Sequence, residues 1–85
     1  MVADISVSDY GRHEVRRWKI GDRNGEVVAG GNGQGNRLDQ LYAPCGVFVD
    51  KDHSVYVVDS GNHRVMRWCA DSREGNGIVG GNGKG

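Results

Sequence analysis

Three observations predict an all-β fold made of repeated four-stranded antiparallel sheets. Residues 7–35 lie over residues 57–85 without a gap, and 14 of the 29 paired positions are identical. The identities fall on apolar runs (Val7/Val57, Val15/Val65), on turns (Asp9/Asp59, Gly11/Gly61, His13/His63) and on Trp18/Trp68 alike, so the repeating unit is a structural one. Within the 50-residue period, four short apolar runs alternate with polar, glycine-containing turns. Fifteen glycines against one proline point to many turns and open loops, and their irregular spacing excludes collagen. Four short, evenly spaced strands per unit are the pattern of a β-propeller blade.

One period is legible strand by strand. Gly46-Val47-Phe48-Val49-Asp50 is the first apolar run and Lys51-Asp52-His53-Ser54 its polar turn. Val55 to Asp59 makes the second strand, Arg64 to Cys69 the third, and a run near 77–80 the fourth. The earlier copy supplies strands near 5–9, 14–19 and 26–29, and helix content is expected to be near zero. Val55-Tyr56-Val57-Val58, apolar at every position, predicts burial on both faces.

Met1-Val2-Ala3 aligns with Lys51-Asp52-His53, so the first copy has no counterpart of Gly46 to Asp50. The organisation read from this is a partial blade over 4–35, a complete one over 42–81, and the start of the next inter-blade loop over 82–85. Such a set is an incomplete propeller, because closure takes about four to eight blades. Unpaired edges and apolar faces are then expected to be covered by further blades or by self-association.

Eleven Lys+Arg balance eleven Asp+Glu, so no general attraction to nucleic acid or anionic membrane follows. No apolar run is long enough to span a bilayer, and Met1-Val2-Ala3-Asp4 starts no signal peptide. Cys45 and Cys69 form no CxxC pair. Two reduced, half-buried thiols in a cytoplasmic setting are the favoured reading, with a disulfide between them as the alternative.

Candidate functional residues cluster in the repeated hairpin turns. Asp9 and Asp59 are read as turn carboxylates that accept backbone N–H groups, and Gly11 and Gly61 as glycines supplying a positive φ. His13 and His63 recur at equivalent sites, but neighbouring blades are separated by about 10 Å, too far for two ligands of one metal ion. No metal or other cofactor is expected. Exposed polar side chains at repeated loop positions make Arg12, His13, Asn62, His63 and Arg64 the expected binding contacts.

Two glycine-rich stretches, Gly30-Gly31-Asn32-Gly33-Gln34-Gly35 and the copy ending Gly83-Lys84-Gly85, lack the first glycine and the helix of a phosphate loop. They read as inter-blade connections. Arg12, Arg16, Arg17 and Lys19 surround Trp18 as the only basic cluster, the kind of arrangement that holds single-stranded RNA. Strand alternation divides it between two faces, with Trp18 expected to pack between blades. Ser60 and His63 bracket one tight turn with no orienting carboxylate to complete a catalytic set, so no catalytic residue is assigned.

Tyr42-Ala43-Pro44-Cys45-Gly46-Val47-Phe48-Val49-Asp50, followed by Ser54 to Val65, resembles an NHL repeat: a Pro-x-Gly-Val-x-Val-Asp strand, then a Tyr-Val-x-Asp-x-Gly-Asn-His-Arg-Val hairpin. Residues 42–81 resemble a full copy and 4–31 a partial one, where Arg12-His13-Glu14 replaces Asn62-His63-Arg64. The Gly-His and Trp-Asp dipeptides of WD repeats are absent, and Trp18 and Trp68 precede the double glycines instead of following them as in kelch units. The resemblance implies a propeller of six or so blades serving as a protein-binding or single-stranded-RNA-binding platform. It also implies substrate recognition for ubiquitin ligases, whose activity would require RING-type spacing not found in these residues. Related propellers that are metal-dependent enzymes, an amidating lyase and lactonase-like hydrolases, form the alternative.

Overall fold

A computed structural model of the chain describes residues 4–80. β1 (Asp4–Asp9), β2 (Glu14–Lys19) and β3 (Glu26–Gly30) form one antiparallel sheet in the order β1-β2-β3. β4 (Pro44–Val49), β5 (Val55–Asp59), β6 (Arg64–Trp68) and β7 (Asn76–Gly80) form a second, in the order β4-β5-β6-β7. The only helical segment among the described residues is a single 3-10 turn, Ser60–Asn62. Two antiparallel sheets, packed one on the other, make an all-β incomplete propeller. Residues 82–85, read as the start of a further loop, lie outside the described residues.

All seven expected strands form, and the largest boundary difference is instructive. β4 begins at Pro44, not Gly46, and a register irregularity between Pro44 and Gly46 accommodates the extra residue. It also ends before Asp50, whose Oδ1 accepts the N–H groups of Asp52 and Ser54 and so builds the turn.

Strand register fixes which side chains share a face. Across the second sheet Val47 pairs with Val57, Val49 with Val55, Val57 with Met66, and Val55 with Trp68. This front face packs on Val15 and Ala29, which pair with each other on the back face of the first sheet, and on Leu41 of the connecting segment. The core is therefore the contact between the two sheets.

Burial on both faces of Val55–Val58 is not what the structure shows. Val55 and Val57 are buried whereas Val58 is exposed, because the second sheet has a neighbour on its front face alone among the described residues. Trp68 is likewise buried, while its counterpart Trp18 is half-buried on the open front of the first sheet. Both indoles lie over the glycine that precedes the last strand of their own sheet: a Cβ at Gly25 would stand 2.8 Å from the Trp18 ring and one at Gly75 2.7 Å from Trp68. Cys45 and Cys69, expected to be half-buried, are exposed free thiols; Cys45 sits at the β4 irregularity and Cys69 just beyond the end of β6.

Candidate functional site

The two repeated turns, residues 10–13 and 60–63, meet at the segment that leads into β4. Gly61 N–H donates to the Tyr42 carbonyl at 2.8 Å, and Ser60 Oγ donates to the Ala43 carbonyl. From the other side, Ala43 N–H donates to His13 Nδ1 at 2.9 Å, and the His13 and Tyr42 rings meet edge to face with centroids 5.9 Å apart. Tyr42 and Ala43 are thus held between a turn of each sheet.

Asp59 is the fixed point of the second turn. Its buried carboxylate accepts Tyr42 N–H at 2.6 Å through Oδ1, and Asn62 Nδ2 at 2.9 Å and Arg64 Nε at 2.7 Å through Oδ2. Arg64 then spreads over the connecting segment: Nη1 donates to the carbonyl of Asn36, and Nη2 to those of Arg37 and Gln40. Asn62 adds a bond to the Gly35 carbonyl at 2.8 Å. A planar guanidinium with five donors suits a carboxylate and three carbonyls at once.

These contacts correct the reading of the site. Arg64 and Asn62 are inward clamps whose donors are taken up within the chain, not surface contacts. His13 is half-buried and bonded. Arg12 and His63 remain exposed, Arg12 with only a loose ion pair to Asp9 at 3.8 Å. Asp9 performs the expected turn role, accepting Gly11 N–H and Arg12 N–H at 3.1 Å, whereas Asp59 reaches 17 residues back to Tyr42.

The positive φ expected of the glycines falls elsewhere. His13 (φ 55°) and His63 (φ 53°) take the left-handed conformation. Gly61 is required for space: a Cβ there would stand 2.6 Å from the Tyr42 carbonyl oxygen and 2.7 Å from its ring Cδ1. A Cβ at Gly11 would meet nothing closer than 3.8 Å.

Two of the basic side chains around Trp18, Arg16 and Arg17, are each paired with a glutamate. Arg16 Nε donates to Glu14 at 2.7 Å, a bond that raises the guanidinium pKa above its ordinary value, and Nη1 donates to the Asn24 carbonyl. Arg17 Nη2 donates to Glu26 at 2.9 Å. A cleft of about 610 Å³ includes Arg17, Glu26, Asp39, His53, Asp71 and Arg73, a mixture of charges that favours neither anions nor cations.

Residues 41–67 match the family model of the NHL repeat. That stretch of the chain is thus similar to an NHL repeat. The matched span runs from Leu41 through Arg67 and so contains the clamp itself: Tyr42, Asp59, Gly61, Asn62 and Arg64. NHL repeats build β-propeller domains that commonly mediate protein interaction. No curated protein matches the chain.

What the clamp leaves outside is a small exposed patch. Tyr10 and Arg12 project from the first turn, His63 from the second, and Tyr42 between them is partly exposed. The two tyrosines were not among the expected contacts. Tyr10 replaces Ser60 of the other copy, and that departure from the repeat was the available signal.

Proposed function

We propose that the chain is a non-catalytic interaction module that binds a protein partner through Tyr10, Arg12, Tyr42 and His63. The observation that supports this is the exposure of Tyr10 and Arg12 on one turn and of Tyr42 in the segment beside it, all fixed by internal hydrogen bonds. Tyrosine and arginine supply much of the binding energy at protein interfaces, and rigid presentation lowers the entropy cost of docking. Protein is favoured over single-stranded RNA because Arg16 and Arg17, the centre of the basic cluster, are each paired with a glutamate. Substrate recognition for a ubiquitin ligase is one role such a module serves, with the catalysis contributed by the partner.

Immobilised wild-type chain should retain a protein set that Tyr10→Ala/Arg12→Ala loses, with the variant's fold confirmed by circular dichroism. An unchanged protein set would overturn the assignment of these residues. Retention of single-stranded RNA by the wild type, lost on Arg16→Ala/Arg17→Ala, would replace protein by RNA.

A further inference from the structure

The tie between the first turn and the entry of the second sheet ends on an atom that can bind a proton. Ala43 N–H donates to His13 Nδ1 at 2.9 Å, and Ala43 is buried, so water does not readily take the place of the ring. An accepting ring nitrogen uses its lone pair, so the imidazole that holds Ala43 carries no proton at Nδ1. Imidazole is the side chain whose charge changes between about pH 5 and 8. A proton arriving at Nδ1 takes the lone pair that Ala43 N–H uses, and imidazolium has no acceptor at any atom. Turning the ring over therefore does not restore the bond.

No neighbour among the described residues offsets that loss. Glu14, next in the chain, is paired with Arg16 at 2.7 Å, and Arg12 on the other side reaches Asp9 at 3.8 Å. From the connecting segment Tyr42 meets the ring edge to face. On the second turn Asp59 and Arg64 are paired with each other at 2.7 Å, and His63 is exposed. Among the described residues no carboxylate lies within ion-pair distance of the His13 ring. The backbone of His13 is pinned as well, since Gly31 N–H donates to its carbonyl at 3.1 Å.

We infer that His13 is a proton-sensitive latch: its neutral ring holds Ala43 to the first turn, and its charged ring lets that segment go. The sign follows from the bond. It exists with the neutral ring only, so its contribution is present at neutral pH and is lost in acid. Release is one-sided. Tyr42 N–H stays on Asp59 Oδ1 and Gly61 N–H on the Tyr42 carbonyl, so the segment remains with the second turn. Acid thereby parts Tyr10 and Arg12 from Tyr42. That this parting regulates partner binding rests on the proposed function, whereas the latch itself does not.

Amide hydrogen exchange followed by NMR reads the latch without any partner. Corrected for the intrinsic rate at each pH, the protection of Ala43 N–H should fall about tenfold between about pH 7.5 and about pH 5.5, while Tyr42 and Gly61 N–H change less than about twofold. His13→Asn keeps an acceptor oxygen at the δ position, tolerates a left-handed backbone and does not titrate, so in this variant the fall should disappear. The chain has three histidines, so His53→Ala/His63→Ala leaves His13 as the only one, and that variant should keep the fall even if His13→Asn does not fold. Wild-type Ala43 protection that is constant with pH overturns the inference. So does a fall that survives in His13→Asn, one that spreads equally to Tyr42 and Gly61, or one that vanishes with His53 and His63.

Discussion

His13 Nδ1 accepts a hydrogen bond from Ala43 N–H at 2.9 Å, tying the turn of the first sheet to the entry of the second across 30 residues of chain. Its repeat equivalent, His63, has the same left-handed backbone but an exposed ring. Two identical residues in equivalent turns thus contribute differently. Replacing His13 by Ala leaves the Ala43 N–H, in a buried residue, without its acceptor, a loss of about 1–3 kcal/mol. His63→Ala should stay within about 0.5 kcal/mol of wild type. Urea unfolding of both variants measures the difference, and equal effects would show that the His13–Ala43 bond contributes nothing.

Asp59 and Arg64 form a buried pair whose remaining hydrogen-bonding capacity is spent on backbone groups. Asp59→Asn keeps the shape and removes the charge, leaving a buried guanidinium uncompensated, so the expected loss is about 3–5 kcal/mol. Arg64→Lys should be nearly as harmful as Arg64→Ala, since an ammonium cannot reach a carboxylate and three carbonyls together. Thermal unfolding followed by circular dichroism reports both. A Lys variant melting with the wild type would mean the fork geometry is dispensable.

The strands were legible in the sequence because β-branched runs such as Val55–Val58 and a gapless repeat specify them locally. Which face of each strand is covered was not legible, because coverage depends on a neighbouring sheet and not on the run itself. Arg64 and Asn62 were misread for a related reason. Their acceptors are carbonyls of residues 35–40, in a connecting segment without periodicity, and nothing in the hairpin reveals that this segment passes over it. The exposed tyrosine at residue 10 could have been noticed, since it stands where the other copy has Ser60.

Gly61 and Gly11 occupy equivalent turns but are surrounded differently. At Gly61 an added methyl runs into Tyr42, and both the ring and the carbonyl would have to move. Overpacking of this kind costs about 1–3 kcal/mol, whereas Gly11→Ala, in open space, should change stability by less than about 0.5 kcal/mol. Chemical denaturation of the two alanine variants checks the contrast. Gly61→Ala at wild-type stability would show that the Tyr42 contact is looser than drawn.

Val57 and Val7 give the cleanest measure of what the sheet-to-sheet contact contributes, since the repeat makes them the same residue at the same strand position. Val57 is buried against the back of the first sheet, and truncation to Ala removes two methyl groups and leaves a cavity. At about 0.8 kcal/mol per buried carbon plus the cavity term, the expected loss is about 2 kcal/mol. Val7 lies on the open front face, and Val7→Ala should cost less than about 0.5 kcal/mol when unfolding is measured on dilute protein. Equal losses for the two variants would show that the sheet-to-sheet contact contributes nothing at Val57.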